Sequence, residues 1–259
     1  MQLSQVINLA THPIHDTHYG QACKQKFDKD GVLVLKQFIT PAALTTVVDE
    51  GKNKQHLAFY TESGHNVYLT QTDSNFSNDH PRNKWVQSSK GCITDDQINL
   101  DSPLRALYDA QELRSFLAFV LGENKLHAYV DPLSSINLHY ASAGQELGWH
   151  FDNSSFAITL LIQSPTYGGQ FEYVEKLRNS DQGDMNYTGV SQVLSGEIEG
   201  QAVSVDAGDL MLFRGRDALH RVTPTLGDTT RMLVVLAYNA EANVALSESA
   251  RMTFFGRLT

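Results

Sequence analysis

The chain is 259 residues long, with 20 Lys and Arg against 29 Asp and Glu, giving a formal charge of −9. That length suits one large domain, as β-barrels of this size commonly are, and the acidic balance argues against long-range attraction to a nucleic-acid backbone. Cys23 and Cys92 are too few for a disulfide framework and are not spaced as a zinc knuckle, so a reducing compartment is expected. The N-terminus lacks the basic start and long apolar core of a signal peptide. The longest apolar run, near Met232 to Tyr238, is about seven residues against the roughly twenty of a transmembrane helix. The expectation is a cytoplasmic protein with neither a membrane nor a nucleic-acid partner.

In chain order, His12, His15 and His18 recur every third residue, but Pro13 interrupts a regular helix and no cysteine is near, so a solvated leader is expected ahead of a metal site. Tyr19 to Lys29 has helical spacing and is stopped by Asp30-Gly31, after which Val32-Leu33-Val34-Leu35 forms a buried strand. Thr40 caps the next helix, Pro41 suits its first turn, and Leu44, Val47 and Val48 supply its apolar stripe. Between His56 and Asn99 the chain is rich in Ser, Asn, Asp, Thr and Gly, the composition of a long, partly ordered, lid-like loop. Within it, Arg82 of His80-Pro81-Arg82 is a candidate contact for a substrate carboxylate, because a guanidinium grips that group with two parallel hydrogen bonds.

Asp101-Ser102-Pro103 opens a helical segment that breaks near Asp109 and stops at Gly122. Beyond it the period becomes that of strands: Leu126–Val130, Ile136–Tyr140, Leu147–Phe151, Phe156–Ile162, Gln170–Val174, Ala202–Val205, Asp209–Phe213, His220–Thr223 and Arg231–Tyr238. Asp181 to Glu199 interrupts them, with a short helix around Val190–Leu194. The fold class is α+β, mainly β, a sandwich or barrel. Residues 1–125 make a helical N-terminal part containing the lid at 56–99, 126–240 the β core, and 241–259 a tail, all in one domain.

Gly148-Trp149-His150-Phe151-Asp152 carries the chemistry. On a strand, side chains two apart share a face, so His150 and Asp152 aim at one point while Phe151 turns away. His220, after the strand that follows Ala207-Gly208-Asp209, supplies a third ligand across the barrel mouth. Two imidazoles and one carboxylate on a face of octahedral iron(II) leave three positions open. Arg231 lies on the next strand, placed to hold a carboxylate. Asn137 and His139 share one face of the strand before the motif; Asn137 is a candidate for cofactor binding, and Glu146 and Asn153, flanking the motif, are candidates for meeting a substrate amine.

Together with Gly168-Gly169-Gln170-Phe171, Gly208-Asp209-Leu210 and His220-Arg221-Val222-Thr223-Pro224, these residues resemble the iron(II)/2-oxoglutarate-dependent dioxygenases over about Ile136 to Tyr238. Phe27 to Leu44 looks like the entry segment of the phytanoyl-hydroxylase-like branch. The resemblance implies a double-stranded β-helix, a jelly-roll or cupin-like barrel, with His150, Asp152 and His220 as iron ligands, Arg231 as the 2-oxoglutarate anchor and dioxygen as oxidant. Phe156 to Gln163, Gly169 to Tyr173, Leu212 to Arg216 and Leu219 to Pro224 are similar to the clade of free-amino-acid halogenases and hydroxylases. In its halogenases a small residue replaces the ligand aspartate, so Asp152 implies hydroxylation of a free amino acid or similar small zwitterion. Leu147 and Asn153 stand where that clade's substrate contacts would be polar or acidic, which leaves the amino acid open. Hydroxylation of a protein side chain, or a non-catalytic metal- or ligand-binding barrel, are the alternatives.

Overall fold

An eleven-stranded sheet dominates the computed structural model, which describes residues 1–259. Its strands are β1 (Val32–Leu35), β2 (Phe59–Asn66), β3 (Trp85–Ile93), β4 (Ile136–Ala141), β5 (Leu147–His150), β6 (Ala157–Gln163), β7 (Phe171–Val174), β8 (Gln201–Val203), β9 (Leu210–Phe213), β10 (Leu219–Val222) and β11 (Arg231–Leu236). Their order is β1-β9-β6-β11-β4-β3-β5-β10-β7-β8, with β2 on β3, and the pairings are antiparallel. This is a double-stranded β-helix: β9-β6-β11-β4 forms one wall, β8-β7-β10-β5 the other, and β3 bridges them along one edge. On the far side Phe213 of β9 meets Phe171 and Tyr173 of β7 edge to face, at centroid distances of 4.9 and 5.5 Å.

One face of the larger wall is the main core. Leu210 and Leu212, Ile158, Leu160 and Ile162, Met232, Val234 and Leu236, and Ile136, Leu138 and Tyr140 pack against Phe27, Val47, Leu107, Leu113 and Leu117. Those five come from helices α1 (Thr17–Asp30), α2 (Pro41–Lys54), α3 (Pro103–Asp109) and α4 (Gln111–Leu121). The helix signals act as expected: Thr40 Oγ1 accepts from Ala43 N at 3.2 Å, and α4 ends on Gly122 at φ 83°, a conformation that favours glycine. The break at Asp109 separates α3 from α4. The opposite alternation, with Asn137 across from Val235 and His139 across from Leu233, looks into the barrel.

The structure departs from expectation in three places. The 56–99 stretch is not one long loop: it contains the β2–β3 hairpin, which continues the sheet, and only residues 67–84 between the strands are irregular. β2 buries only Asn66, so the strand carries none of the apolar alternation that announces one. The tail forms a helix, α6 (Glu248–Phe255), following the short α5 (Tyr187–Ser195); Arg257, just beyond α6, donates to Asp96 at 2.7 Å. The opening segment is not simply solvated either, because His12 is buried between the Tyr19 hydroxyl and the Lys36 carbonyl, 2.6 and 2.8 Å away, while His15 and His18 are exposed. No helix is long and apolar enough to cross a membrane.

Leu160, fully buried and paired with both Leu210 and Val234, sits at the centre of the helix-facing layer. Leu160→Ala is expected to cost about 2–5 kcal/mol, measured as a lowered urea midpoint with an unchanged slope.

Candidate active site

The antiparallel register sets His220 of β10 directly opposite His150 of β5, with ring centroids 4.2 Å apart. Asp152 follows two residues after His150, just past the end of the strand. Its Oδ1 lies 3.8 Å from His150 Nε2 and 3.5 Å from His220 Nε2, and one ligand atom from each of the three residues lies within 4.8 Å of the others. Both imidazoles are oriented from behind: Nδ1 of His150 meets the Gly148 carbonyl at 2.7 Å, and Nδ1 of His220 meets that of Ala218 at 2.9 Å. With the proton on Nδ1, each Nε2 lone pair is free to face a metal.

The motif is held from both sides. Phe151 N donates to the Val67 carbonyl at 2.8 Å, and the Phe151 ring stacks on Tyr68, with the Arg178 guanidinium 4.1 Å from the Phe151 centroid. Asp152 N donates to the Gly215 carbonyl at 3.0 Å. A Cβ on Gly215 would fall 1.9 Å from Asp152 Oδ2, and one on Gly148 would fall 2.4 Å from the Gln87 carbonyl of β3, so both glycines are places where backbone must pass close.

Burial penalises an imidazolium, and with the neighbouring His220 it pulls His150 down to about 3, so His150 is neutral near pH 7. Burial opposes ionisation of Asp152, but the imidazoles of His220 and His150 and the Lys90 ammonium outweigh it, and the carboxyl is held below its usual range. Two imidazole nitrogens with an ionised carboxylate on one face are a donor set that fits iron(II).

Arg231 begins β11 opposite Ala141 and is 8% exposed. No carboxylate pairs with it, and its Nε has no hydrogen-bond partner; the fully buried Thr225 Oγ1 is also without one. A Cβ on Gly169 would lie 2.9 Å from Arg231 Cδ and 3.5 Å from Thr225 Oγ1, so the bare glycine leaves room beside both. Burial lowers the guanidinium to about 10, which leaves it charged at neutral pH. An unpaired cation and an unpaired hydroxyl beside a glycine gap fit the far carboxylate of a 2-oxo acid.

The other sequence-derived candidates disperse. Asn137 shares β4 with Ala141, the partner of Arg231, but is four residues away, roughly 13 Å along the strand. Its Nδ2 donates to the Leu133 and Ile136 carbonyls at 2.8 and 3.0 Å. Arg82 sits in the hairpin turn near Tyr68, on the Phe151 side of the motif, and borders neither cavity beside the barrel interior. The Glu146 carboxylate makes no hydrogen bond or ion pair, although its backbone is tied to Ser89; Asn153 is exposed at the mouth.

The hairpin supplies polar residues that the sequence did not announce. His65 Nε2 contacts Ser88 Oγ at 2.7 Å, and the His65 ring stands 6.1 Å from that of His150. Lys90 Nζ lies 3.3 Å from both ring nitrogens of His139. Treating Trp85–Ile93 as a strand would have put Ser88 and Lys90 on one face, but its polarity pointed to a loop. Gly215 and Thr225 carry no sequence signal of their own.

The double-stranded β-helix and its two-histidine, one-carboxylate cluster form a candidate iron(II) centre. The family model HalD, Halogenase D, matches residues 15–253, and the chain belongs to that family. No curated protein matches it. Among solved structures it is similar to a 2OG-Fe(II) oxygenase-family oxidoreductase from Burkholderia pseudomallei, at 12% identity and TM-score 0.54 over 87% of this chain and 92% of that one. It is also similar to AviO1 from Streptomyces viridochromogenes Tue57, at 13% and 0.57 over 88% and 97%. A third similar structure is the non-heme alpha-ketoglutarate-dependent epimerase SnoN from nogalamycin biosynthesis, at 12% and 0.58 over 86% and 81%. At these identities the likeness concerns the fold.

Gly215→Ala is expected to weaken iron(II) binding at least tenfold while far-UV circular dichroism stays unchanged, because the added methyl displaces Asp152. The metal-free protein is expected to lose stability in mild acid. His150 and His139 are both depressed, His139 by burial and then by Lys90 and Arg231. Between their folded values and about 6.5 the unfolded chain binds more protons, so stability falls as pH drops below 6.5, by up to about 1.4 kcal/mol per unit for each histidine. Thermal melting at pH 7.5, 6.5 and 5.5 reads this, and His139→Gln should flatten the slope.

Proposed function

We propose that this protein is an iron(II)- and 2-oxoglutarate-dependent hydroxylase of a free amino acid or a similarly small zwitterionic metabolite. The observation that carries hydroxylation is the position of Asp152: its carboxylate oxygen lies within 4 Å of both ligand nitrogens and fills the place that a chloride would need. Membership of a family named for halogenation does not require halogenation here, because that chemistry depends on a vacancy where this chain has a carboxylate. His150, Asp152 and His220 would hold the iron, with Arg231 and Thr225 holding the far carboxylate of 2-oxoglutarate. When bound, the metal and 2-oxoglutarate supply the oxidising power through decarboxylation to succinate. The protein binds and orients the substrate C–H bond and keeps water out, and no separate acid or base is needed.

A small substrate is supported by the size of the cavities beside the site, about 190 Å³ each, one of them walled by Phe254 and Phe255 of α6.

With iron(II), 2-oxoglutarate and a panel of free amino acids, a substrate is expected to stimulate succinate formation and gain one oxygen in mass, with no chlorinated product in added chloride. Asp152→Ala and His150→Ala should each abolish hydroxylation, and Arg231→Met should raise KM for 2-oxoglutarate at least tenfold. Substrate-independent succinate formation alone, or persistent turnover in His150→Ala, would sink the assignment.

A further inference from the structure

Lys90 is a cation without a counterion. It sits on β3 just outside the register that sets Gly91 against Tyr140, and it lines a cavity of about 190 Å³ with Asn137, His139, Val235 and Phe254. No carboxylate lies within ion-pairing distance of its Nζ; its neighbours are the His139 ring nitrogens at 3.3 Å and the Phe254 ring, 5.8 Å from its centroid. Burial holds the Lys90 ammonium below its usual range, and with only an imidazole and an aromatic face beside it the charged form is left to be stabilised by a ligand anion.

The same cavity presents a complementary acceptor. The Asn137 amide spends its two donors on the Leu133 and Ile136 carbonyls, so its Oδ1, which has no partner, remains to accept. The Lys90 cavity shares Tyr129, Val235 and Ala237 with a second cavity of about 190 Å³. That second cavity reaches Asp152 past Phe156 and Ile158, and Asp152 is the one acid lining either cavity. Together the two approach the ~300–1,000 Å³ typical of small-ligand sites. A charged substrate side chain would meet an apolar wall there, with no partner to repay its desolvation.

Building on the proposed amino-acid hydroxylation, we propose that Lys90 and Asn137 form a clamp for the carboxylate and ammonium of a free α-amino acid. The clamp points an apolar side chain past Val235 toward Asp152. Lys90 donates to the carboxylate, and Asn137 Oδ1 accepts from the ammonium. The substrate class is therefore an α-amino acid with an apolar side chain, and Lys90 determines specificity.

The test uses the full-length iron-loaded enzyme with 2-oxoglutarate. L-Leucine and L-norleucine are compared with L-lysine and L-glutamate, and with isopentylamine and 4-methylpentanoate, which are leucine without its carboxylate and without its ammonium. The apolar amino acids should exceed lysine and glutamate at least tenfold in kcat/KM, and both truncated compounds should lose most of that. Lys90→Met should raise KM for the amino acid tenfold or more and leave KM for 2-oxoglutarate within twofold, with Lys90→Arg recovering much of the loss. Anaerobic calorimetric titration of the amino acid should show the same order of binding without turnover. If Lys90→Met instead raises KM for 2-oxoglutarate, or if lysine or glutamate is the preferred substrate, the clamp is wrong while amino-acid hydroxylation stands. If no amino acid stimulates turnover, both fall.

Discussion

The pairing of β5 with β10 is the constraint on which the site depends. An antiparallel register has only two side-chain parities, and a slip of one residue would turn an imidazole out of the barrel. Here His150 and His220 are direct partners, so two imidazoles distant in sequence meet with no long side chain having to reach. The Gly148 and Ala218 carbonyls then fix both rings, and the Gly215 backbone presses the carboxylate into the remaining corner. Each of these contacts is backbone to side chain, so the geometry is inherited from the sheet.

A second feature runs through the interior: basic groups without an acidic partner are buried there. Arg231 lies at one end of β11 with an unsatisfied Nε, and Lys90 lies across the barrel without an acid. Both would be costly in a protein that bound nothing. The main core bears none of this cost, because the apolar alternation of the same strands faces the helices. The sheet thus divides the molecule into a dry face that stabilises it and an inner face that carries unsatisfied polar groups.

The positions of the β-helix strands after residue 126, the helix starts at Thr40 and Ser102, and the break at Asp109 were all visible in alternation and capping residues. The β2–β3 hairpin and α6 were not. β2 buries only Asn66, and α6 owes its place to contacts such as that of Arg257 with Asp96, which lies far away in sequence. Two sequence candidates also separate for a tertiary reason, since Asn137 and Arg231 look into the barrel but at different depths.

The sequence by itself put His150 and Asp152 on one face, because His150-Phe151-Asp152 alternates as a strand does, and the β period of most strands after residue 126 is written locally. It also placed a carboxylate, that of Asp152, in the pair. Only the tertiary structure decided which residues share the cavity, bringing Lys90 from a polar hairpin beside His139 and leaving Arg82 on the Phe151 side of the motif. The reason is physical. Ligand types follow from the chemistry of a few adjacent residues, whereas the walls of a cavity follow from strand order and register, which no local stretch of chain contains.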